Sequence, residues 1–402
     1  MHRLSLLLSL LLTTATASAQ LPDTLSAEAR LSLLTILPGD AVYSAFGHSA
    51  LRVHDPMTGF DAVFNYGTFD FRDPLFIPRF VYGKLDYYLS VVPLRATLRG
   101  SRLEGRPVIE QILALAPHET RAVYAALRHN ARPENRTYRY DFLYDNCSTR
   151  PRDVLARTLG PVLQFSGEPA PRQSFRRLLD PYLADRPWLD LGIDLLLGIP
   201  TDRIPTPEQV VFLPDYLMAA FDEAHLVRDG ETTPLVLRKD TLLAVPGYRR
   251  PAPAPNVPLW LFSLLFVAVA VTSLRPRSTP VSHNYRADAL LFGLIGLVGF
   301  FLLFMWLGTE HHVTTWNANV LWALPTHALA AVALLRGGRS WLRPYFAFTF
   351  ALTLFMVIAV LSDWPQDFPT AIFPLLLIIV LRSALLLKRL PPPRLPGRET
   401  QE

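Results

Sequence analysis

The apolar positions fall into two regimes that meet near residue 250. Beyond Pro258 they form long runs, at 259–274, 287–307, 320–335, 345–361 and 371–387. A membrane-spanning helix needs about 20 residues, so each run with its flanks reaches a span, and the pattern predicts five helices over 259–390. Arg275, Arg277 and Arg286 lie between the first two runs. Arg336, Arg339 and Arg343 lie between the third and fourth, and Lys388, Arg389, Arg394 and Arg398 follow the fifth. Residues 309–319 and 362–370 contain no Lys or Arg. Cytoplasmic loops carry the excess of basic residues, so the expected C-terminus, with a tail at 391–402, is cytoplasmic. Everything before the first run is then outside.

Before residue 250 the pattern is finer. AFGHSALRVH (45–54) and AVFNY (62–66) read as strands joined by the turn DPMTG. VIEQILAL (108–115) fits a third strand, with a helix as the alternative. ETRAVYAALRHN (119–130) puts Val123, Ala126 and Leu127 on one helical face. YRYDFLY (138–144) is extended and aromatic, and Asp145 and Asn146 offer N-cap oxygens to a helix over 148–158. Pro151 falls in its first turn, where proline is tolerated. The sum is a mixed α+β domain over 20–248. RRPAPAPNVP (249–258) reads as a Pro-rich extended spacer. Residues 1–19 have a short basic start, an apolar core and a small-residue Ala-Ser-Ala end, the marks of a secretory signal peptide.

The net charge of +5 sits largely beside the apolar runs, where lipid accounts for it better than nucleic acid. The cysteine count matters more. Exported chains meet an oxidising compartment, and a lone cysteine there is a reactive thiol or a buried small hydrophobe. Cys147 is the only one. YDNCSTRPRD (144–153) places it at a helix start, whose free N–H groups and partial positive charge favour a thiolate.

A cysteine nucleophile needs a base, usually histidine. Of ten histidines, His2 leaves with the signal peptide and His283 is cytoplasmic. His118, His129 and His225 lie in polar contexts, and His54 at the exposed end of its strand. His48, beside Gly47 in FGHSALRV, is the candidate base, with a satisfied core histidine as the alternative. Asn65 on the neighbouring strand is placed to orient the imidazole. There is no G-x-S-x-G elbow and no H-E-x-x-H motif, and His311-His312 has the wrong spacing for a metal pair, so neither metal nor cofactor is expected.

FGHSALRV (46–53), FNYGTFDF (64–71), YDFLYDNCSTRPRD (140–153) and VVFLPDYL (210–217) together resemble the N-terminal periplasmic domain of the Lnb-type lipoprotein N-acyltransferases. HHVTTWNANVLWALPTH (311–327) resembles their membrane part. The order of histidine on an early strand and cysteine at a later helix start is similar to circularly permuted papain-like enzymes such as lecithin–retinol acyltransferase. The resemblance implies a bacterial inner-membrane enzyme with no cofactor. Cys147 would take an acyl chain from a membrane phospholipid as a thioester, and pass it to the N-terminal amine of a diacylated lipoprotein. Arg150 and Arg152 become candidates for the lipid phosphate, with ion pairs to Asp145 or Asp153 as the alternative. Trp316, Asn317 and Asn319, at the outer end of the third run, become candidates for a head group, Trp316 also for an interfacial anchor. His327 is expected to bond a neighbouring helix, and Arg382 to snorkel to the cytoplasmic face. A membrane-tethered cysteine hydrolase would use the same Cys–His pair.

Overall fold

The computed structural model describes residues 21–69, 74–84, 86–165, 172–275, 285–362 and 364–392. The expected signal peptide, His283 and all but the first two residues of the expected tail lie outside these.

The strands are β1 (Arg30–Ile36), β2 (His48–Asp55), β3 (Phe60–Thr68), β4 (Asp86–Pro93), β5 (Val108–Leu113), β6 (Thr137–Arg139), β7 (Leu163–Gln164), β8 (His225–Arg228), β9 (Glu231–Pro234) and β10 (Val236–Leu243). Seven form one antiparallel sheet in the order β10-β5-β1-β2-β3-β4-β6, and β7-β8-β9 form a small second sheet. The helices of this half are α1 (Phe76–Tyr82), α2 (Leu94–Leu103), α3 (Pro117–Asn130), α4 (Thr149–Leu159), α5 (Phe175–Leu183), α6 (Pro187–Leu196), α7 (Pro207–Val210) and α8 (Pro214–Glu223).

Alternation sorts the central strands onto two faces. Leu31, Leu33, Leu51, Val53 and Phe64 pack with Val123 and Leu127 of α3, Leu155 of α4, Leu178 of α5 and Leu217 of α8. Leu34, Ile36, Ala50, Val63 and Val108 form a smaller core on the other face with Leu94 and Leu98 of α2. Each fully buried Leu, Ile, Val or Phe among them stabilises by about 1.5–3 kcal/mol. The α+β reading holds, as do the 55–59 turn and the strand choice for 108–115.

The second half contains α9 (Val257–Leu274), α10 (Arg286–Leu307), α11 (His327–Leu335), α12 (Leu342–Ser362) and α13 (Phe373–Arg389). Among the described residues four helices are long and apolar enough to cross a membrane, at Val257–Leu274, Arg286–Leu307, Leu342–Ser362 and Thr370–Arg389. The third expected span differs. Only nine residues of it form α11, after a 3-10 turn at Ala318–Leu321. Pro325 breaks the run, since it lacks an N–H and excludes helix from the residue before it. The broken segment still runs from one end of the bundle to the other. Val313 accepts a hydrogen bond from Gly198 of the α+β half at 2.8 Å, while Gly338 lies beside Tyr285 and Leu390. It packs against the α10 backbone: a Cβ on Gly299 would fall 1.5 Å from the Ala323 carbonyl oxygen, a close approach that only a small residue allows.

The Pro-rich stretch is fastened to the α+β half: Arg250 pairs with Asp215 at 2.6 Å, Tyr248 donates to the Pro38 carbonyl at 3.1 Å, and Ala254 N–H to Ala184 at 2.9 Å. One further expectation changes. Arg382 does not snorkel. It forms a bidentate pair with buried Asp288 at 2.6 and 2.7 Å and donates to Ser273 at 2.7 Å, joining α9, α10 and α13. Removing one partner of a buried pair strands the other charge. Asp288→Ala is expected to cost about 3–5 kcal/mol, read as a lower unfolding temperature in detergent. The double change Asp288→Leu with Arg382→Met should recover most of that loss, and an unchanged midpoint for Asp288→Ala would contradict the pairing.

Candidate active site

The cysteine turn is built around Asn146, which is 2% exposed. Its Oδ1 accepts from the N–H groups of Ser148 at 2.7 Å and Thr149 at 3.0 Å, capping α4 as an Asn at that point favours. Its Nδ2 donates to the carbonyls of Phe142 at 2.7 Å and Phe212 at 2.9 Å. Upstream, Asp141 and Asp145 exchange two backbone hydrogen bonds of 3.0 Å, and Asp141 Oδ1 accepts from Leu143 and Tyr144 N–H groups at 2.9 Å. Cys147 is held between these two fixed points, half-buried and unpaired.

Strands β2 and β3 supply the wall facing it. Ser49, the residue after His48, gives its backbone N–H to the sulfur, and its hydroxyl lies 3.2 Å from that of Ser148. Gly67 on β3 has φ +84°, and a Cβ there would sit 3.4 Å from the Cys147 Cβ and 3.8 Å from the Tyr140 ring. Asn65, also on β3, hydrogen-bonds the His48 side chain and donates Nδ2 to the Val63 carbonyl at 3.3 Å. The structure thus sets His48 and Asn65 side by side on two central strands of the sheet, and brings Cys147 against Ser49, the neighbour of His48.

Electrostatics at the site runs against the expectation of a resting thiolate. Burial pushes the Cys147 thiol above its ordinary value, and outweighs the N–H groups of Ser49 and Cys147, the Ser148 hydroxyl and the Arg106 charge, all of which favour the thiolate. Burial also pulls His48 down to about 4, helped by the Arg106 charge and opposed by the Asn65 hydrogen bond. At neutral pH the pair is therefore thiol and neutral imidazole. Arg106 escaped the sequence reading. It is 6% exposed, donates to Leu37 at 2.8 Å and Glu104 at 2.9 Å, and brings a positive charge to both groups.

The remaining candidates are placed less favourably. Arg150 grips Asp145 through two hydrogen bonds of 2.6 and 2.7 Å and lies 3.5 Å over the Tyr138 ring. Arg152 pairs with Asp153 at 2.7 Å and donates to the Glu208 carbonyl. Both form the ion-pair alternative. Asn317 donates to the Leu195 and Leu196 carbonyls at 2.7 and 3.1 Å, and Asn319 accepts from Trp322 at 3.0 Å. Both are buried, so their amides clamp the end of α6 rather than face a head group. Trp316 stays 65% exposed, against Trp306 at 5.2 Å. His327 bonds Tyr345 of α12 at 2.6 Å, the helix-to-helix role expected of it.

One contact joins the site to the membrane half. His312 stacks on Tyr144, centroids 5.4 Å apart, with Nδ1 3.2 Å from Asp141. Residues 20–180 match the model of the Lnb N-terminal periplasmic domain, and residues 253–390 match that of the Lnb transmembrane domain. The chain belongs to the Lnb family. The matches to the two Lnb models span most of the chain, and no curated protein or solved structure gave a match. This Lnb protein is a membrane protein with a periplasmic region, and the periplasmic match contains Cys147, His48, Asn65 and Arg106. Its membership points to an enzyme of lipoprotein maturation.

The desolvated thiol sets a pH signature. Alkylation of Cys147 by iodoacetamide, followed by intact mass, should be slower at pH 7 than in the unfolded chain. Its rate should still climb past pH 9, because the thiolate forms only above the ordinary thiol range. A rate plateau below pH 7 would contradict this electrostatics.

Proposed function

We propose that this Lnb protein is a lipoprotein N-acyltransferase working through a Cys147 thioester, with His48 as the base and Asn65 orienting it. In the first step Sγ attacks the ester carbonyl of a phospholipid. The C–S bond forms, the ester C–O bond breaks, and the thiol proton passes through His48 to the departing lysophospholipid oxygen. In the second, the N-terminal amine of a diacylated lipoprotein attacks the thioester. The C–N bond forms, the C–S bond breaks, and His48 carries the amine proton back to sulfur. The imidazole is neutral at pH 7 and so ready to accept, and because the thiol is raised, the proton moves as the new bond forms. The N–H groups of Ser49 and Cys147 converge on the sulfur and stabilise the charge it gains as its proton leaves.

The observation that carries this reading is the bond between the nucleophile's own turn and the membrane half, through His312 on Tyr144 and Asp141. It suits a thiol that meets lipid substrates at the membrane surface. The order of His48 on β2 and Cys147 ahead of α4 supports a permuted papain-like ancestry. The basic-loop pattern supports an inner membrane location with five passages, the third broken, and a cytoplasmic C-terminus.

The test uses purified protein in detergent with phospholipid and a diacylated lipopeptide. The wild type should add one acyl mass to the peptide, and Cys147→Ala should add none. His48→Gln should slow the reaction by about 10²–10⁴-fold. Cleavage of the peptide without acyl gain would replace this reading with the hydrolase.

A further inference from the structure

Helix α1 buries none of its seven residues. Ile77, Phe80 and Tyr82 are 61%, 45% and 49% exposed, an apolar patch of the kind that marks a binding surface. Its attachment indicates what covers it. Its last turn is fixed to one end of the membrane-crossing bundle: Glu310 N–H donates to the Tyr82 carbonyl at 2.9 Å, and His311 Nε2 lies 2.8 Å from the Phe80 carbonyl. The Tyr82 ring meets Phe304, in the last turn of α10, edge-on at 5.7 Å. On α10 the side chains of Leu297, Phe300 and Leu307 are exposed as well. The open face of α1 continues the apolar surface of a helix that crosses the membrane.

From α1 an unbroken row of rings leads to the thiol. Centroid separations are 6.1 Å from Phe80 to Phe76, 5.2 Å from Phe76 to Phe69, 5.2 Å from Phe69 to Tyr87 and 4.4 Å from Tyr87 to Tyr140. Tyr140 and Cys147 then flank the same point beside Gly67.

We infer that α1 dips into the outer leaflet and that the aromatic row, which closes at Tyr87 (7% exposed), is the wall that a phospholipid acyl chain parts to reach Cys147. Short apolar helices with aromatic side chains settle at the lipid–water boundary. Apolar, ring-lined surfaces are what a long hydrocarbon ligand selects. The acyl route rests on the function proposed above; the docking of α1 does not.

Two measurements separate these parts. A nitroxide on Ile77→Cys in a Cys147→Ala background is reconstituted at high dilution into phosphatidylethanolamine–phosphatidylglycerol vesicles. A second label goes on Met57→Cys, 71% exposed in the turn at the far end of β2 from His48. The label at 77 should meet oxygen more readily than a water-soluble nickel complex, and the label at 57 the reverse. Equal behaviour at both positions, or spin–spin broadening at 77 that reveals a second copy, would overturn the docking. With Cys147 intact, Ile77→Asp should slow thioester formation from vesicle phospholipid by about tenfold or more, and change the rate from a monomeric short-chain phospholipid far less. A wild-type rate from vesicles would overturn the route. A wild type that never forms a thioester would sink the function reading and the route together, and leave the docking to the depth measurement.

Discussion

The Asn146 carboxamide is the constraint on which the site depends. Inside the protein it binds two N–H groups at the start of α4 and two carbonyls, one of them on Phe212, 66 residues away. A buried polar group left without partners costs about 1–3 kcal/mol, so these four bonds hold the turn to one conformation. The next residue is the thiol. Its position against β2 and β3 follows from that anchor, and the absence of a Cβ at Gly67 leaves room for it.

Burial follows from the same packing, and it decides the chemistry. A thiol raised by desolvation and an imidazole lowered by desolvation are both neutral. Such a thiol resists stray oxidation and alkylation better than a standing thiolate in an oxidising compartment. In the proposed reaction it becomes a nucleophile only as the proton leaves through His48. Arg106, itself buried, favours the thiolate and disfavours the imidazolium through its charge.

How much of this was legible in the sequence depended on range. Asn146 as a cap, Cys147 ahead of a helix and the β2–β3 hairpin are set within a few residues of chain, and local rules found them. Strand β1, RLSLLTI, went unread because its middle is apolar on both faces and has no clear period of two. The raised thiol was invisible because a helix start is local and burial is not. Arg382 looked like a snorkelling side chain because its partner, Asp288, lies 94 residues earlier. Asn317 and Asn319 looked like outward-facing polar groups at a span's end, and only the fold shows the α6 carbonyls that they bind. The broken third span is the one place where a local signal, Pro325, was present and hydrophobicity overrode it.

The central claim is that the lone thiol carries the acyl group covalently. Incubating the protein with phospholipid and no acceptor, then measuring its intact mass, tests this most directly. The account predicts one added acyl mass on the wild type, mapped to Cys147, released by hydroxylamine at neutral pH and absent from Cys147→Ala. An unmodified wild type that nevertheless acylates a lipopeptide when one is supplied, or an adduct that persists in Cys147→Ala, would contradict it.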